Sequence, residues 1–313
     1  MSVAGAGAGV WAGPSRLRAL REAGVRAALF ACALATGLTT VGIVAVLGVE
    51  TARFFAAGVV GPVGFLAGTE IKPEAEPPEF GILPLIWGTV VVAVGASAVA
   101  LPIGLLSAIY LSEYAHRRVR AVLKPTLELL AGIPSIVYGY LALLLVTPAL
   151  KSLLEPRFAV DTYNALSACI VVGIMIIPMV SSLSEDVLSA VPRGLREAAY
   201  GLGATKFEVS TRVVLPAGLS GVMASFILAV SRAIGETMAV VLAAGTQAQL
   251  TLNPLRSIET MTTYIVLVVA GDAPVGSPES LSLFAVGMAL FLITLALNVA
   301  SSLVLRRYRE VYQ

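Results

Sequence analysis

The chain has 313 residues, of which 58% are hydrophobic and 13% charged, with a mean hydropathy of +0.90 and a formal net charge of +2. So few polar side chains cannot cover a water-soluble particle of this size, which excludes a soluble enzyme or binding module and implies an integral membrane protein. The small net charge names no partner by itself, and no nucleic acid is expected.

Residues 1–13 are rich in Gly and Ala and are expected to be disordered, within an N-terminal tail over 1–26. The first apolar run, Ala27 to Val49, exceeds the roughly 7–15 residues of a secretory signal core and lacks a convincing cleavage site, so it is expected to stay as a span. Glu50 to Glu79, with Pro73, Pro77 and Pro78, reads as an exposed loop. Further charge-free runs follow at Phe80–Ser112, Leu129–Leu150 and Thr162–Ser184, then the run Ala217–Gly245, and last Ser280–Leu305. Each is long enough to cross about 30 Å of hydrocarbon, which takes about 20 helical residues, so the prediction is an all-α membrane protein with six transmembrane helices over residues 27–305. Kinks are expected at Pro102 and at Gly132-Ile-Pro-Ser135, facing protein or a cavity; packing through small residues would explain these glycines equally well. Thr260–Gly271 is apolar but only about a dozen residues long, too short to cross, and predicts an interfacial or re-entrant helix.

Lys and Arg mark the cytoplasmic flanks of spans. Fifteen of the 21 basic residues fall on one set of flanks: Arg16 to Arg26, Arg117 to Lys124, Arg193 to Arg212, and Arg306 to Arg309. Five (Arg53, Lys72, Lys151, Arg157 and Arg256) fall on the other. Both termini, including the tail 306–313, are therefore expected in the cytoplasm. Cys32 and Cys169 lie within predicted spans and read as inert apolar thiols, and with His116 as the only histidine no transition-metal site is expected.

The remaining basic residue, Arg232, lies inside the fifth run with Glu236, in Ser231-Arg-Ala-Ile-Gly-Glu-Thr237. On a continuous helix, a spacing of four places both on one face, where they either neutralise each other or together face a polar path. Ser231 and Thr237 could add hydroxyl donors, although such hydroxyls often bond their own backbone.

Between the fourth and fifth runs, residues 184–216 carry mixed charge. Pro192 followed by Arg193 to Leu202 predicts one short helix, Gly203 a backbone reversal, and Ala204-Thr205 the start of a second helix carrying Phe207 and Val209. Short amphipathic helices of this kind suit docking to a partner. The spacing Glu197-Ala198-Ala199, three residues, Gly203, nine residues, Val213, one residue, Leu215-Pro216 resembles the EAA motif of binding-protein-dependent ABC importer permeases, with Val213 in place of the usual isoleucine. Gly132-Ile-Pro-Ser-Ile-Val-Tyr-Gly-Tyr140 and Ser231-Arg-Ala-Ile-Gly-Glu-Thr-Met-Ala-Val240 are similar to segments of the phosphate-specific permeases, more of the PstC-type than of the PstA-type subunit.

The resemblance implies a type I importer (MetI-like) permease fold, with Glu197, Ala198, Ala199 and Gly203 forming a turn that faces a cytoplasmic ATPase. It also implies partners: a second, PstA-type permease, two PstB-type ATPase subunits and an extracytoplasmic phosphate-binding protein. No cofactor is expected on this chain, because ATP and magnesium belong to the ATPases; it has no Gly-rich phosphate loop and is expected not to be an enzyme. The expected cargo is inorganic phosphate, whose negative charge needs donors such as Arg232 in low-dielectric surroundings. A sulfate or molybdate permease of the same kind, and a secondary transporter in which Glu236 titrates, are the alternatives.

Overall fold

The computed structural model describes residues 16–155 and 157–307. The expectation for residues 1–13 lies outside them, as does most of the tail 306–313. The chain divides into two compact units, one ending at Val49 and one beginning at Glu50. The helix α1, Arg16–Ala56, carries the chain from one to the other. Within the first unit, Thr36, Thr39 and Thr40 direct their hydroxyls to carbonyls four residues back, which satisfies them inside an apolar run.

In the second unit the chain forms a short helix α2, Pro62–Ala67, and a two-stranded hairpin, β1 Ile71–Lys72 and β2 Glu79–Phe80, paired antiparallel with Ile71 opposite Phe80. The long helices follow: α3 Leu83–Tyr114, the amphipathic α4 Arg117–Ala131, α5 Ser135–Leu154 and α6 Ala165–Ala190. Then come α7 Arg193–Gly201, α8 Lys206–Ala217, α9 Leu219–Ile234 and α10 Met238–Ala244. The helix α11, Met261–Ala270, precedes the last span, α12 Pro278–Arg307. Among the described residues five helices are long and apolar enough to cross a membrane, and up to six if the bent pair α8 and α9 counts as one span.

The centre of this unit is the contact of α3 with α6, onto which α9, α10 and α5 pack. Small residues make the approach close: Gly173 sits against Val99 and the carbonyl of Ala96, and Gly104 against Val180. Ala93, Ala96, Ala100, Ala168 and Val172 fill the space between them, all buried. In lipid, where tails are as apolar as the helices, such close van der Waals packing is what favours association.

Several expectations change. Glu50–Glu79 is a folded cap rather than a loose loop: Phe54 packs edge-on against Phe65 and Phe80, with centroids at 5.7 and 5.4 Å. The third span starts at Ser135 rather than Leu129, because residues 129–131 finish the amphipathic α4, and Pro134 caps the following helix instead of kinking it. The helix through Pro102 runs on from Leu83 to Ile109. The fourth span continues to Ala190, so the first residues of the stretch 184–216 are still span. The short apolar segment near Thr260 is indeed a ten-residue helix.

Candidate functional site

The fifth span is broken where its charges lie. Gly235 ends α9, Glu236 and Thr237 are non-helical, and α10 starts at Met238. Arg232 lies thirteen residues into α9, about 20 Å along it at about 1.5 Å per residue. The break removes the shared helical face, and of the two alternatives, mutual neutralisation or a common polar path, the Arg232–Glu236 ion pair is not formed among the described residues. Glu236 is buried, at 8% exposure, and its carboxylate Oε1 accepts the amide N–H of Ala239 at 3.3 Å, in the first turn of α10. A carboxylate there meets unpaired amides and the positive end of the peptide dipoles. Arg232 is exposed and, among the described residues, has no hydrogen-bonding or ionic partner.

Open backbone at this depth needs partners, and α11 supplies one. Thr262 Oγ1 donates to the carbonyl of Glu236 at 2.9 Å, while the amide of Met261 donates to Thr89 Oγ1 on α3 at 3.0 Å. Gly88 on α3 lies so close that an added Cβ would meet the carbonyl oxygen of Glu259. The helix α11 is thereby held between α3 and the break. The two expected hydroxyl donors are committed elsewhere: Thr237 Oγ1 bonds the carbonyl of Gly235 at 3.3 Å, and Ser231 Oγ bonds Asn298 Oδ1 on α12 at 3.1 Å.

Beyond α10, on the hairpin side, a polar cavity of about 640 Å³ is lined by Lys151, Asp161, Thr162, Gln247, Arg256 and Ser257. Two of the five basic residues assigned to that side by sequence meet here.

At the opposite end, the EAA segment forms two helices meeting at Gly203, whose φ of +86° places it in the left-handed region that favours glycine. Thr205 caps α8 through a reciprocal capping box with Glu208. Hydrogen bonds from the Thr205 backbone amide and hydroxyl hold the Glu208 carboxyl below the ordinary value of 4.5. The segment has two faces. Glu197, Ala198 and Gly203 are exposed, beside Leu202 at 91% and Phe207 at 68% exposure, whereas Ala199, Val213 and Leu215 are half-buried. Pro216, also exposed, precedes Gly218, where the chain bends by 72° from α8 into α9.

Sequence reasoning missed what ties this segment to the spans. Arg196 on α7 forms an ion pair with Glu113, at the end of α3, at 2.9 Å, and donates to the carbonyls of Leu188, at 2.7 Å, and Val191. One guanidinium thus joins the EAA helix to the ends of α3 and α6. Lys206 of α8 lies 4.9 Å from the ring centre of Tyr114. Glu185 on α6, fully buried, pairs with Arg120 and, at 2.7 Å, with Lys124 of α4, and accepts from Ser189 at 2.8 Å. Burial of Lys124 opposes its charge, but hydrogen bonds to Asp186 and Glu185 outweigh it and raise its pKa. The signal for Glu185 was its place at the end of an apolar run; for Arg196 and Glu113 no local signal existed.

Residues 100–310 match the family model described as "Binding-protein-dependent transport system inner membrane component". The chain is 34% identical over 289 residues to a probable ABC transporter permease protein, YqgH, of Bacillus subtilis, covering 91% of this chain and 92% of that protein. It is 36% identical over 261 residues to the phosphate transport system permease protein PstC of Mesorhizobium japonicum, covering 77% and 78%. Among solved structures, a bacterial ABC transporter involved in the import of alginate matches with a TM-score of 0.63 at 14% identity over 94% of this chain, a likeness of fold.

Proposed function

The chain belongs to the family of binding-protein-dependent transport system inner membrane components, and from that premise we propose that it is the PstC-type permease subunit of an ATP-driven importer of inorganic phosphate. It sits in the inner membrane of a prokaryote with both termini in the cytoplasm. Beside it stand a PstA-type permease and two PstB-type ATPases, which hold ATP and magnesium, and an extracytoplasmic phosphate-binding protein delivers the cargo.

The exposed face of the EAA segment, with Leu202 and Phe207 projecting, is the part available to the ATPase. Movement taken up there passes through Arg196 to α3 and α6, and through the bend at Gly218 to α9. The access side of the path then alternates with the ATPase cycle. Hydrolysis takes place on the ATPases, and this chain's own residues bind and pass the anion. Its entry on the outer side is the polar cavity holding Lys151 and Arg256.

The observation that carries this function is the state of Arg232. A guanidinium within a span is costly, and among the described residues no carboxylate neutralises it. Its planar fork of donors matches phosphate oxygens. Glu236, turned onto the first turn of α10, where its carboxylate accepts the amide N–H of Ala239, leaves that fork free. Uptake of labelled phosphate by the assembled complex tests this. Arg232→Ala is expected to lower uptake by about a hundredfold, two charge-assisted hydrogen bonds' worth, with assembly intact. Full uptake by an assembled Arg232→Ala complex would remove the residue from the path.

A further inference from the structure

The last span carries one side chain that a lipid-facing helix has no use for. Asn298 lies on α12 nine residues before Arg307, about 14 Å from that end at about 1.5 Å per residue. It is exposed, among leucines and valines that are also exposed: Leu295 at 45%, Leu297 at 42% and Val299 at 49%. Its carbonyl oxygen accepts from Ser231 Oγ at 3.1 Å, which places it next to the turn of α9 that bears Arg232. Its amide nitrogen has no partner among the described residues.

The spacing on α12 is a second observation. Thr294, Asn298 and Ser302 recur at intervals of four, one face of a helix in an otherwise apolar run. Thr294 and Ser302 spend their hydroxyls on carbonyls of their own helix, at 2.9 and 2.8 Å. An asparagine amide of two N–H donors is not satisfied so cheaply, and exposed polar groups within a span face a partner or a water-filled path rather than lipid.

We propose that Asn298 is a second anion contact of the translocation path, its amide N–H groups donating to phosphate oxygens beside the Arg232 guanidinium, with Ser231 as the positioning residue that fixes the amide by holding its oxygen. This rests on the phosphate reading of the chain. The oxygen is already committed to Ser231, so the face left for a ligand is donor-only, suited to an anion. The polar face of α12 then marks the cytoplasmic half of the path, along which the anion leaves Arg232.

The discriminating substitution is Asn298→Asp, compared with Asn298→Ala in the assembled complex with its ATPases and binding protein. Aspartate keeps an oxygen for Ser231 and has nearly the shape of asparagine, but it loses both donors and places a negative charge beside the path. If Asn298 only binds helices together, Asn298→Asp resembles the wild type and Asn298→Ala is the damaged variant. If it contacts the anion, Asn298→Asp is the worse of the two. Labelled phosphate uptake is expected to fall about tenfold in Asn298→Ala, the loss of one hydrogen bond to a charged group, and further in Asn298→Asp, with co-purification of all subunits unchanged. Wild-type uptake in Asn298→Asp, or loss of assembly in Asn298→Ala, would overturn the assignment. Wild-type complex that imports no phosphate would instead overturn the cargo, a separate outcome of the same assay.

Discussion

Arg232 and Glu236 lie four residues apart and do different work. Gly235 ends the helix between them, so Glu236 serves the first turn of α10 while Arg232 stays with α9 and remains unpaired among the described residues. Glu185 is the contrasting charged residue. It is fully buried, yet Arg120, Lys124 and Ser189 surround it, and its cost is met by partners rather than by a path. Removing one member of such a cluster leaves charge stranded. Glu185→Ala, which leaves part-exposed Arg120 and Lys124 without this partner, is therefore expected to cost about 1–3 kcal/mol, read as a drop of a few degrees in the melting temperature of the purified protein in detergent, while Glu74→Ala in the exposed hairpin turn leaves it unchanged. An unchanged melting temperature for Glu185→Ala would show that α4 is not held by this cluster.

Among the elements, the EAA segment is the one that the proposed function assigns to movement. Its capping box, its reversal at Gly203 and its exposed apolar side chains make it a rigid knuckle, and Arg196 makes the knuckle part of α3 and α6. With side chains 16% and 6% exposed, the Arg196–Glu113 pair is largely desolvated, and breaking such a pair costs about 3–5 kcal/mol. Glu113→Ala is expected to leave ATP hydrolysis by the complex within about twofold but to lower phosphate uptake about tenfold, because the coupling free energy of an allosteric link is of order 1–3 kcal/mol. Parallel loss of hydrolysis and uptake would mean that Glu113 supports folding rather than coupling. The boundaries of this segment were legible beforehand, since Pro192, Gly203 and Thr205 act locally. The ties to Glu113 were not, because 83 residues separate the partners. The helix α4 was missed for a related reason: its fifteen residues are amphipathic and none is buried, so composition marked only a basic flank over Arg117 to Lys124 and assigned 129–131 to the third span.

For the whole molecule, the distribution of Lys and Arg predicts an orientation that labelling can check. With Cys169 buried and Cys32 within an apolar span, a cysteine introduced as Glu74→Cys is expected to react with a membrane-impermeant maleimide in intact cells. Leu202→Cys is expected to react only after permeabilisation. The reverse pattern would invert the topology and place the EAA segment away from any cytoplasmic ATPase. The apolar, all-helical character with five or six spans, the short helix after Thr260 and the position of Arg232 and Glu236 within an apolar run were determined by the sequence itself. Insertion into lipid depends on apolar length summed over about 20 consecutive residues, a local property. The break at Gly235, the clamp on Glu185, the latch from Arg196 to Glu113 and the meeting of Ser231 with Asn298 were decided only by tertiary structure. Each depends on which side chain stands opposite, and the partners of the last three lie 61 to 83 residues apart; helix packing brings them together, and no local pattern records it.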